Sequence, residues 1–207
     1  MQNQLDTHFI SIGWTVELFW QCYLPTRNGS GLSPETLEQD VAIAFNFIGM
    51  YYQRIYKNKE ALAYFTKALA DAPENQAIMQ NLAISAIKNE YFEQGIALFE
   101  KMAQIQPQIK QNFCYLFYLG IAYYQKKEYL SAITYLQQAL KLQPRNLEVT
   151  YYLGEVYTSE KEYWKAIYCY RDALERIEED AFSKNYDYYY YNNITQNLAG
   201  LSDVWNV

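Results

Sequence analysis

The chain has 207 residues, of which 51% are hydrophobic and 19% charged, and a formal net charge of -6. It is too apolar to stay disordered and long enough to bury the core of one or two compact units. Its acidic balance, without any cluster of Lys or Arg, argues against nucleic acid and anionic membranes as partners, because their binders concentrate positive charge.

The first predicted element is a helix over residues 5–24. Asp6 or Thr7 can cap it, and Ile12, Val16, Phe19 and Tyr23 form an apolar stripe at helical spacing. The run from His8 to Leu24 is short of the roughly 20 apolar residues that a bilayer needs, and Glu17 stands in its middle. Asp6 also stands where a secretory signal would need a cation. The segment is read as a soluble helix, and no membrane insertion is expected. Residues 24–33, LPTRNGSGLS, read as a flexible loop; RNGSG lacks the Lys-Ser/Thr ending of a phosphate loop. Ser33 and Pro34 then suit a helix start.

From residue 42 a single pattern returns four times. Gly49, Ala83, Gly120 and Gly154 stand 34, 37 and 34 residues apart, and twelve residues after each comes Ala61, Gly95, Ala132 or Ala166. Four further on are Phe65, Phe99, Leu136 and Tyr170, then Ala68, Met102, Ala139 and Ala173. Pro73, Pro107 and Pro144 close the first three copies, and Glu178 takes the place of a fourth proline. Each copy reads as two helices joined by a polar turn such as QKKEY (125–129), with proline ending the second helix. The small residues should allow a close helix crossing, Gly120 against Ala132 for instance, with Tyr123 and Leu136 filling the space between successive pairs.

The pattern resembles the tetratricopeptide repeat family, with repeats at about 42–75, 76–109, 113–146 and 147–180 and an insertion at Lys110 to Asn112. The resemblance implies an all-α fold: a right-handed superhelical α-solenoid with capping helices at both ends. The expected organisation is an N-terminal helix and linker over 1–33, four repeats within 34–180 and a C-terminal capping helix over 181–207. In that last helix Tyr190, Ile194, Leu198, Leu201 and Trp205 recur at spacings of three and four. Tyr188 to Tyr191 point about 100° apart on a helix, so they are read as part packing and part solvated rather than as a stacking platform.

Nothing in the sequence assembles a catalytic or metal site. His8 is the single histidine, and Cys22, Cys114 and Cys169 are odd in number with no CxxC. A non-catalytic, cofactor-free cytoplasmic protein with reduced thiols is expected.

In repeats of this family the first helix of each pair lines a concave groove that takes protein or peptide ligands. Counting three before, one after and four after each small residue places Asn46, Met50, Gln53, Gln80, Ile84, Ile87, Phe117, Ile121, Tyr124, Tyr151, Glu155 and Thr158 there. Tyr118 and Tyr152 are their neighbours. Family members that bind acidic chaperone tails use a two-carboxylate clamp of Lys, Arg and Asn. The matching positions here are Asn46, Met50, Asn81, Cys114 and Tyr118, and only Asn81 agrees. The expected site is therefore an apolar, tyrosine-rich groove for a partner segment: Asn46, Met50, Gln80, Ile84, Phe117, Tyr118, Ile121, Tyr124, Tyr151, Tyr152 and Glu155. The same side chains could instead pack on neighbouring helices or on the N-terminal helix. Two alternatives stand beside the adaptor: a chaperone similar to class II type III secretion chaperones, and a self-assembling subunit, a homodimer through the N-terminal helix.

Overall fold

The computed structural model describes residues 34–181 and 188–205, so the helix expected over 5–24, the loop after it and the dimer contact assigned to it lie outside the described residues. Every described element is helical: α1 Pro34–Arg54, α2 Asn58–Asp71, α3 Gln76–Lys88, α4 Phe92–Ile105, a 3-10 turn Pro107–Gln111, α5 Phe113–Gln125, α6 Tyr129–Leu142, α7 Leu147–Ser159, α8 Tyr163–Ala181 and α9 Tyr188–Trp205. No helix among the described residues is long and apolar enough to cross a membrane.

The chain divides between Asn89 and Glu90 into two compact units. In the first, α1 packs on α2 and both pack on α3. In the second, α4 to α9 each pack on the next helix, and α5 also touches α7. Proline stops three helices as expected: α2, α4 and α6 each end two residues before Pro73, Pro107 or Pro144. Without proline, α8 runs unbroken past Glu178. The insertion at 110–112 is occupied by the 3-10 turn, which Pro107 begins and Asn112 caps.

Helix starts and stops repeat with the same period as the core. Asn75, Asn112 and Asn146 cap α3, α5 and α7 through their side-chain oxygens, accepting from Ala77 and Ile78, Cys114 and Tyr115, and Val149. The turns inside the pairs close with left-handed residues at Tyr56, Glu90, Lys127 and Lys161. Around Lys127, its N–H donates to the Tyr124 carbonyl and the Glu128 N–H to the Tyr123 carbonyl, both at 2.9 Å; the same two bonds recur at Tyr56 and Lys161. These are Schellman closures, which satisfy the last carbonyls of the first helix and reverse the chain.

The pair interiors follow one geometry. A Cβ at Gly49, Gly120 or Gly154 would stand 2.6, 2.6 or 2.5 Å from Phe65, Leu136 or Tyr170, the residue sixteen positions on. Leu136 thus fills its own pair against Gly120 rather than the space between pairs, because only a missing side chain admits a large one at so close a crossing. Tyr123 likewise stacks on Tyr135 of its own pair, with centroids 5.4 Å apart, as Tyr52 does on Tyr64. Ala61, Phe65, Phe99, Ala132, Leu136, Ala166 and Tyr170 are fully buried.

Candidate functional site: an aromatic face on helices α5 and α7

In the first unit, Asn46 and Met50 stand on α1 and Gln80 on α3. The Asn81 amide donates to Asn46 Oδ1 at 2.9 Å, so the one clamp-like residue is engaged within the chain. Met50 is exposed and Gln80 half-buried, whereas Ile84 is buried and presents little to a ligand.

The second unit carries the aromatic residues. On α5, Phe113 stacks on Phe117 at 5.6 Å, and Phe117 meets Tyr118 at 5.2 Å and Tyr152 of α7 at 5.8 Å, both edge to face. Tyr152 also meets Tyr124 at 6.4 Å and Tyr151 at 5.5 Å. The sequence permits this because residues three and four apart share a helix face, so 113, 117 and 124 of α5 come to lie along 152 of α7. Ring pairs at such distances contribute beyond their buried area and hold each other's orientation.

Three of the expected contact residues have other roles. Phe117, 4% exposed, is the hub on which the neighbouring rings rest. Tyr151 is 8% exposed because Tyr190 of α9 lies edge to face on it at 5.1 Å. Glu155 accepts from Tyr170 Oη at 2.7 Å, from Tyr124 Oη at 3.4 Å and from the Asn197 amide of α9. Asn197 also donates to Tyr170 Oη at 3.1 Å. A half-buried carboxylate with three donors is held by hydrogen bonds rather than by a cation. These bonds pin α9 to α7, with Ile194 and Leu201 buried, and they use the side chains that were expected to face a partner. Tyr190 packs while Tyr189 is exposed, the division expected of the tyrosine run.

What the face offers is Tyr118, Ile121, Tyr124 and Tyr152, all half-buried, with Glu148 exposed at its edge. Burial, and next the Glu148 carboxylate, push the Tyr118 phenol up to about 12. Burial first, then Tyr189 and Glu148, do the same for Tyr152. Tyr124 is raised by burial and then by Glu155, and Tyr151 and Tyr170 are raised chiefly by burial. A phenol whose folded pKa lies above its unfolded value near 10 contributes its stability in full below pH 10. That contribution is lost as pH rises from about 10 through about 12, while the unfolded chain ionises and the folded one does not. The contribution of these phenols to stability should therefore hold to about pH 10 and fade over the next two units. Part of the phenolate absorbance should rise late and together with loss of helix; completion of the rise without unfolding would contradict this burial.

Residues 113–146 match the family model of the tetratricopeptide repeat. No curated protein sequence matches the chain. Among solved structures, MamA of AMB-1 is similar with a TM-score of 0.56 at 22% identity, over 67% of this chain and 80% of that one. MamA "41-end" from Desulfovibrio magneticus RS-1 gives 0.55 at 13% identity, over 85% of this chain and 98% of that one. A chain of the APC/C hetero-tetramer Cut9-Hcn1 gives 0.63 at 20% identity, over 76% of this chain but 30% of that one. At these identities the likeness is one of fold.

Proposed function

We propose, from the premise that the chain is a tetratricopeptide-repeat protein built of antiparallel helix pairs, that it is a non-catalytic adaptor which holds a segment of a partner protein on the α5–α7 face. A protein-interaction or scaffold role goes with the repeat. The observation that carries the finer reading is the row of half-buried side chains Tyr118, Ile121, Tyr124 and Tyr152, braced from beneath by Phe117. Tyrosines held by one another offer large contact area at low entropic cost. Tyr151 and Glu155 stand behind this row and fix α9 to it. Asn46, Met50 and Gln80 are proposed as contact residues of the first unit by itself. Cytoplasmic residence belongs to the same reading, since Cys114 and Cys169 are free thiols; recovery of the native protein from an oxidising compartment would contradict it. The secretion-chaperone alternative turns on the N-terminal arm, which lies outside the described residues.

The test is substitution within the row. Tyr152→Ala together with Ile121→Ala should weaken a bound partner by about thirtyfold or more, the effect of losing a central anchor. Circular dichroism of the double variant separates lost contact from lost fold. Unchanged affinity in a folded variant would place the site elsewhere.

A further inference from the structure

The chemistry of the partner can be taken one step further, an inference that rests on the α5–α7 reading. The α5 sequence, FCYLFYLGIAYYQ, has no charged residue. The charged residues of α7 are Glu148 and Glu155, and α9 contains Asp203 but no Lys or Arg. α5 and α7 thus bring to the aromatic row the carboxylates of Glu148 and Glu155 and no cation of their own. Of the basic residues on the flanking helices and turns, Lys126 pairs with Glu93 at 3.6 Å and Glu128 at 3.2 Å, Lys165 pairs with Glu162, and Arg176 pairs with Asp172 at 2.6 Å and donates to Thr150 Oγ1 at 3.2 Å. Phenol rings present a negative face to what lies above them, and carboxylates beside them deepen that potential. The chain itself places ammonium groups over such rings: Lys67 over Phe45 and Tyr64 at 5.7 and 5.2 Å, and Lys165 over Tyr157 and Trp164 at 5.3 and 5.4 Å.

We propose that the segment held on this face carries Arg or Lys among apolar side chains, with the apolar ones on Ile121 and Tyr124 and the cation over Tyr118 and Tyr152 beside Glu148. Charge complementarity selects this occupant. An acidic tail would meet carboxylates with no cation on α5 or α7 to neutralise it, and a neutral apolar segment would leave Glu148 at the edge unused.

The probe is a library of short random peptides displayed on phage and panned against the full chain, with selected peptides then titrated by calorimetry. Peptides enriched in Arg or Lys together with apolar residues are expected. Their affinity should fall about tenfold with Glu148→Lys, fall with rising salt, and be lost with Tyr152→Ala. Binders that need Tyr152 yet are acidic or uncharged, or that bind the Glu148→Lys variant equally well, would overturn the basic partner while leaving the face in place. Binders indifferent to both substitutions, or no binders at all, would overturn the inference and count against the face itself.

Discussion

Gly120→Ala is expected to lower the stability of the protein by about 1–3 kcal/mol, and Gly120→Leu by more. In a helix interior, alanine should be the better residue by about 1 kcal/mol. Here the new methyl would stand 2.6 Å from Leu136 Cγ and 2.8 Å from Leu136 Cδ2, with the Leu136 backbone nitrogen at 3.4 Å. The blocking atom is the branch point of a fully buried side chain, so relief requires α6 to move off α5. Gly200 of α9 is the internal control: nothing lies within 4 Å of a Cβ built there. Gly200→Ala should stabilise by up to about 1 kcal/mol through propensity alone. Urea unfolding of both variants reads the contrast. Equal effects at the two positions would mean that the crossing is looser than described.

Ile194→Ala should cost about 2–4 kcal/mol, within the range for removing a buried branched side chain from a packed site. Ile194 has no exposed surface and is the most buried described residue of α9, whereas Tyr189 on the same helix is 68% exposed. Tyr189→Ala should therefore change stability by no more than a few tenths of a kcal/mol. Loss of the Ile194 contact should also loosen Asn197 from Glu155 and raise hydrogen exchange along α9 before the rest of the second unit. Uniform exchange along α9 and α5 in this variant would show that α9 is not a separately docked cap.

Much of the helix arrangement was legible because the constraints that set it are local. Spacings of 34, 37 and 34 between small residues mark where two backbones must come close, and three prolines mark where the second helices stop. The Asn75, Asn112 and Asn146 caps share the 37 and 34 spacing and could have been read with them. The left-handed turn residues could not: Tyr56, Glu90, Lys127 and Lys161 include no Gly or Asn, so no residue preference announces the positive φ.

The site was legible in composition and only partly in position. Counting along a helix places Phe117, Tyr151 and Glu155 on one face, but it does not know that Tyr152 packs on Phe117, or that α9 returns to cover Tyr151 and bond Glu155. These contacts join residues 35 to 42 positions apart, where helical periodicity carries no information. Exposure within a helix face is decided by the next helix, and that had to be seen.

Site-specific photocrosslinking in the cell of origin reads most directly whether the α5–α7 face holds a partner. A benzophenone side chain replaces Ile121 on the aromatic face in one variant and Gln138, exposed on α6, in another. Both products are analysed by mass spectrometry. A discrete crosslinked partner is expected at position 121 and none at 138, with the crosslinked peptide carrying apolar side chains. The same partner captured at 138 and absent at 121 would contradict it.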